Sequence, residues 1–168
     1  MTDREQHRTR LVPLDRLSHT ERTTDLGVVV LCKGVYDLTH LGHIRSLWAA
    51  GAMGDTLVVA LASDRSVRER KGTTRPVLTF RERVGILSGL RMVDFVVEYD
   101  DTSPMKVIEV VRPQILCVAH TAAFSQPELA RMKELKIDLR ILERPDERST
   151  SDIIRAITES RDDHLHNR

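Results

Sequence analysis

With only two cysteines in 168 residues, Cys32 and Cys117, the chain cannot build a disulfide framework, and a reducing, cytoplasmic setting is expected. Both lie in apolar stretches that read as buried strands, and no cluster of further ligands accompanies them, which argues against structural zinc. Positive charge is not in excess either. The 26 Lys and Arg face 25 Asp and Glu, a formal net charge of +1, so no basic surface for nucleic acid is expected. No apolar stretch approaches the roughly 20 residues of a membrane-spanning helix, and Met1-Thr2-Asp3-Arg4-Glu5 does not read as a signal peptide; no membrane partner is expected. Repeats and low-complexity tracts are missing as well, and this length suits one domain with its own core.

What the chain does have is a regular alternation of short apolar runs with helical patterns. Strands are expected over 28–32, 56–61, 94–97, 114–118 and 138–142, and helices over 41–52, 66–70, 80–91, 104–111, 127–135 and 151–160. Thr79 is a plausible cap for the third helix, and Ser103-Pro104 offers a cap and a first-turn proline to the fourth. Such alternation predicts an α/β fold, a Rossmann-like doubly wound parallel sheet with its first strand central and its ligand at the carboxyl ends of the strands. Residues 1–25, dense in charge, read as a flexible or loosely docked arm; 26–160 form the domain; 161–168 read as a disordered tail.

The stretch Gly34-Val35-Tyr36-Asp37-Leu38-Thr39-His40-Leu41-Gly42-His43 joins the first strand to the first helix and sets two imidazoles around a glycine. At a helix N-terminus the first N–H groups lack intrahelical partners and the dipole is positive, so a polyphosphate is favoured before any side chain contributes. Gly42 has no Cβ and leaves room for a phosphate or a base. His40 and His43, three apart on one helix face, are candidate donors to oxygens whose charge grows as phosphorus becomes five-coordinate. Half a metal site and an ordinary helix surface are the competing readings. Ser149-Thr150-Ser151 opens the last helix, where hydroxyls and N–H groups suit either phosphates or ordinary capping. Lys71, beside Gly72, can reach a phosphate, with Arg68 and Arg70 assisting or forming a solvated face. Lys33 meets a phosphate or reaches solvent, and Trp48 reads as helix core.

These residues are similar to the cytidylyltransferase-like nucleotidyltransferases, marked by a Gly-x-Phe-Asp-x-x-His-x-Gly-His segment. Gly34, Asp37, His40, Gly42 and His43 match it, with Tyr36 in place of Phe. Resemblance continues through Gly54-Asp55, Ser63-Asp64, Lys71-Gly72, Arg75-Pro76-Val77, Arg81-Glu82-Arg83, Val93-Asp94 and Arg148-Ser149-Thr150-Ser151-Asp152. The Asp100-Asp101-Thr102-Ser103-Pro104 and Arg112-Pro113 segments are most similar to the sugar-phosphate branch that makes ADP-heptose, with the glycerol-3-phosphate cytidylyltransferases close by.

The resemblance implies transfer of a nucleoside monophosphate from an NTP, ATP favoured, to a phosphorylated sugar such as a heptose 1-phosphate. Pyrophosphate is released, Mg²⁺ is the divalent cofactor, and the enzyme is a homodimer. It assigns catalytic work to His40, His43 and Lys71. Nucleotide binding falls to Gly34, Val35, Tyr36, Asp37, Gly42, Ser149, Thr150 and Ser151. Lys71 is assigned to the acceptor and Arg83 and Arg91 to substrate phosphate or the nucleotide, with a surface salt bridge the alternative for both, more so for Arg91. Asp37 is expected to help hold Mg²⁺ or to orient the loop. After the strand 115–118, relatives carry Lys-Gly-Gly-Asp or Gly-Asp-Asp, whereas this chain reads Ala119-His120-Thr121-Ala122-Ala123-Phe124; there His120 is expected to hydrogen-bond the acceptor. Two alternatives stand beside this reading: a CTP-dependent enzyme acting on glycerol 3-phosphate or an aminoalcohol phosphate, and a nucleotide-binding regulatory domain that has lost turnover.

Overall fold

Strand burial dictates the architecture. A computed structural model of the chain describes residues 10–19, 25–101, 103–119, 124–142 and 149–166, the stretch 161–166 as backbone alone. Five strands, β1 (Val29–Gly34), β2 (Thr56–Ala62), β3 (Phe95–Tyr99), β4 (Ile115–Val118) and β5 (Asp138–Ile141), pair in the order β3-β2-β1-β4-β5. Every pairing is parallel. All of β2 is buried, which explains its unbroken apolar run: a parallel sheet is covered on both faces.

Among the described residues five α-helices supply that cover, α1 (Leu41–Gly51), α2 (Asp64–Lys71), α3 (Phe80–Ser88), α4 (Met105–Val111) and α5 (Gln126–Glu134), and α6 (Thr150–His166) follows them. Alternate residues of β1 point to opposite faces. Val29 and Leu31 join Val67 of α2, Ile108 of α4 and Met132 of α5 in one core; Val30 and Cys32 join Leu47 of α1 and Leu87 of α3 in the other. The chain therefore winds one way through β2 and β3 and the other way through β4 and β5. Between β1 and β4 the winding reverses, and a crevice opens at their carboxyl ends. The expected doubly wound, Rossmann-like single domain is what the chain forms.

Several boundaries differ from expectation for local reasons. Helix α3 stops at Ser88 because Gly89 caps it, its N–H reaching three carbonyls. Pro104 itself takes the cap position of α4, while Ser103 Oγ accepts the Met105 N–H at 3.2 Å. Helix α6 continues through His166, where a disordered tail was expected from 161. Trp48, expected in the core of α1, is 56% exposed.

Part of the arm is docked. Among its charges, Leu11, Val12, Leu14 and Leu17 form an apolar pattern that docks: Leu11 bridges Val96 in parallel, the Val12 N–H donates to Val96 O at 3.0 Å, and the His19 N–H donates to Val110 O at 2.8 Å. Leu17, in a 3₁₀ turn over Leu14–Leu17, is 3% exposed. Thus, of the flexible or loosely docked arm expected, Arg10 to His19 is docked, as a cover over the open edge of β3. Cys32 and Cys117 are register partners on β1 and β4, both buried and neither in a disulfide. Among the described residues no helix is long and apolar enough to cross a membrane.

Candidate active site

The loop leaving β1 is bent tightly enough to place Tyr36 and Leu38 at φ of 50° and 45°, a region costly for residues with a Cβ. Thr39 Oγ1 closes the bend by donating to the Tyr36 carbonyl at 3.0 Å. Gly34 makes it possible, since a Cβ there would lie 2.7 Å from the Tyr36 ring.

His40 then caps α1. Its Nδ1 accepts the Gly42 N–H at 3.2 Å, and His43 Nδ1 accepts the His40 N–H at 3.4 Å, a reciprocal box usually built from a hydroxyl and a Glu. The ring centres lie 4.0 Å apart, with Tyr36 5.2 Å from His43. A nitrogen that accepts carries no proton, so each neutral ring keeps its proton on Nε2. Two Nε2–H donors are thereby fixed at a positive helix end.

Asp37 gathers three distant segments. Its carboxylate, 1% exposed, accepts from the backbone N–H groups of Val77 and Leu78 at 2.9 Å each and from Arg75 Nε at 2.8 Å, while its carbonyl accepts from Thr150 Oγ1 at 2.9 Å. Burial pushes its pKa up; the Leu78 and Val77 N–H groups and Arg75 outweigh that and hold it below the usual carboxylate range. Of the two roles left open for Asp37, this geometry performs the orientation of the loop. The sequence placed Arg75 only in a segment resembling the family's substrate loop and gave no signal that it would pair with Asp37, 38 residues away.

A cavity of about 340 Å³ opens here, lined by Gly34, Val35, Tyr36, Asp37, His40, His43, Lys71, Ser149, Thr150 and Ser151 together with Lys33, Arg70, Arg75, Val118 and Ala119. It lies at the β1/β4 crevice, as the winding requires. Burial first, then Arg75 and Arg70, lower the Lys71 pKa, with Asp37 opposing. Ser149 accepts the Asp152 N–H and donates to its carboxylate at 2.6 Å, an ordinary cap, and the same helix start faces the cavity. Asp37 is the one carboxylate in that lining, its oxygens are engaged, and among the described residues no three His, Cys, Asp or Glu side chains are grouped to hold a cation. These residues do not fit a resident, protein-held Mg²⁺.

Other expected site residues are elsewhere. Gly42 is buried in the first turn of α1 and serves through its N–H. Arg83, expected to face substrate phosphate, is instead fully buried. It donates to the carbonyls of Leu78, Val35 and Ala62 at 3.1, 2.8 and 2.9 Å and to Asp64 at 2.6 Å. Its guanidinium latches the ends of β1 and β2 to the loop before α3, and it has no face left for a ligand. Arg91 is exposed in the turn that leads into β3, at the amino end of the sheet and away from the cavity. His120 lies outside the described residues.

Residues 31–156 match a family model described as cytidylyltransferase-like. The chain belongs to this family of nucleotidyltransferases. The Bifunctional protein HldE of Campylobacter curvus (strain 525.92) is 40% identical over 132 residues, covering 79% of this chain and 28% of that protein. Its namesake in Helicobacter pylori (strain J99 / ATCC 700824) is 35% identical over 155 residues, 92% of this chain and 32% of that protein. The chain thus spans about a third or less of the length of these curated relatives. Among solved structures, the lipopolysaccharide core biosynthesis protein from Thermoplasma volcanium GSS1 aligns with a TM-score of 0.60 at 29% identity, covering 73% of this chain and 99% of that one. The pantoate-beta-alanine ligase of Francisella tularensis, at 11% identity and a TM-score of 0.60 over 85% of this chain and 69% of its own, shares the fold.

Proposed function

We propose that the chain transfers a nucleoside monophosphate from an NTP, with ATP favoured, to a phosphorylated sugar such as a heptose 1-phosphate. The observation that carries this reading is that Nδ1 of both His40 and His43 accepts a backbone N–H at the start of α1, which leaves Nε2 of each neutral ring to donate. An oxygen of the acceptor phosphate attacks the α-phosphorus in line; a new P–O bond forms, the bond to the β-phosphate oxygen breaks, and pyrophosphate leaves. His40 and His43 donate to oxygens that gain charge in that step. Lys71 draws the acceptor phosphate, and the α6 start at Ser149 to Ser151 holds the leaving pyrophosphate. Magnesium belongs to the substrate here, carried on the triphosphate, which is consistent with an engaged Asp37. No covalent nucleophile is needed, because positioning and charge stabilisation do the work.

The sugar acceptor is supported by the resemblance of the 100–104 and 112–113 segments to the branch that makes ADP-heptose and by the likeness to a lipopolysaccharide core biosynthesis protein. Pyrophosphate release assayed with each NTP against a panel of phosphorylated sugars and alcohols tests the reading. Release with ATP and a sugar 1-phosphate is expected. Release confined to CTP with glycerol 3-phosphate would replace the substrate assignment, and tight nucleotide binding without release on any acceptor would make the chain a binding domain.

A further inference from the structure

Lys33 leaves β1 on the face opposite Cys32, away from the core beneath α1. Its ammonium lies 4.7 Å from the centre of the Phe124 ring. Arg70 descends from α2, donates its Nε–H to Ser66 O at 3.1 Å and spreads its guanidinium 5.9 Å from the centre of the Tyr99 ring. Both side chains line the cavity. Among the described residues neither has a carboxylate within ion-pair distance.

Two like charges held together in a partly desolvated wall repel each other, and that repulsion is relieved when an anion sits between them. The cost is visible in Lys33, whose pKa is lowered by burial and then by Arg70, against a weaker pull from Glu128. Aromatic rings fix such cations without neutralising them, which preorganises the pair for a ligand. The histidines, by contrast, sit at the start of α1, which covers the opposite face of the sheet. A planar fork beside a point charge suits an oxyanion.

We propose that Lys33 and Arg70 form a second anion subsite of the cavity, taking a phosphate or carboxylate that the acceptor carries in addition to the phosphate that attacks. This inference rests on the nucleotidyl-transfer reading and, within the phosphorylated sugars, moves the acceptor from a plain heptose 1-phosphate to a sugar phosphate with a further anionic substituent.

Calorimetric titration of the full chain with glucose 1-phosphate, glucose 1,6-bisphosphate and glucuronic acid 1-phosphate, each with and without a non-hydrolysable ATP analogue, tests it. At least one doubly substituted sugar is expected to bind about tenfold more tightly than glucose 1-phosphate, and which of the two wins tells phosphate from carboxylate. That preference falls to within about twofold in Lys33→Gln and Arg70→Gln, whereas Lys33→Arg keeps it and guards against a glutamine variant that does not fold. The analogue's Kd stays within about twofold throughout. Equal binding of the three sugars, or a preference that survives both glutamine substitutions, overturns the proposal. A parallel loss of analogue binding in both variants overturns it too, by assigning the pair to the triphosphate. Failure of the analogue to bind the parent chain would defeat the nucleotidyl-transfer reading instead, and the titrations without analogue still decide the subsite.

Discussion

At the scale of single residues, the two histidines act as caps through Nδ1, and in the proposed reaction they serve again as donors through Nε2. Removing the His43 ring takes away a donor that matters most as charge builds on the transferred phosphorus. His43→Ala is expected to lower kcat on the order of a hundredfold while shifting NTP affinity much less; single-turnover rates beside equilibrium binding check this, and near-normal turnover would remove His43 from the mechanism. Arg83 predicts the opposite pattern. Lysine cannot reach the Val35, Leu78 and Ala62 carbonyls and Asp64 at once, so Arg83→Lys is expected to cost roughly 3 kcal/mol of folding stability. A shifted denaturant midpoint would agree; an unchanged midpoint with a raised acceptor KM would return Arg83 to the substrate. The histidine motif was legible because its spacing and its strand-to-helix setting are local. Arg83 was not, because Arg81-Glu82-Arg83 on a helix looks solvent-facing until the carbonyls left open at the ends of β1 and β2 turn one arginine inward.

Among elements, the clamp between Asp37 and the Arg75–Leu78 loop joins the first crossover to the second. Since the Asp37 pKa is held below the usual carboxylate range, its stabilisation is fully present above that range and is lost as pH falls through the lowered value. Asp37→Asn is therefore expected to lose on the order of 3 kcal/mol near neutrality, with the gap to the parent closing in acid. Denaturation at several pH values reads this, and a gap that widens toward low pH would contradict it. The strands themselves were legible, being short, β-branched and evenly spaced, and β1, β2 and β4 lie within a residue or two of expectation. Whether the arm was flexible or docked stayed open in the sequence because the four apolar residues between Arg10 and His19 are diluted by charge, and only the open edge of β3 gives them something to cover. Deleting residues 1–19 is expected to expose that edge, seen as a lowered melting temperature and concentration-dependent association in light scattering; an unchanged melting temperature would make the cover dispensable.

For the whole molecule, a homodimer is the expected solution state, a twofold pair being the commonest closed assembly, with Leu41 and Trp48 of α1 among the large apolar side chains left exposed. Sedimentation at micromolar concentration returning only monomer would refute it. The bond from Thr150 Oγ1 to the Asp37 carbonyl links positions 113 residues apart, and it has a bearing on how the protein is made. A chain emerging from the ribosome with its amino end first can pair β1 with β2 and β3 early, but β4, which forms the far wall of the crevice, and α6, whose start lines the cavity, arrive later. Nascent chains halted before Thr150 would carry a sheet and both histidines yet have an unfinished cavity, so the cavity is complete only once α6 has been made.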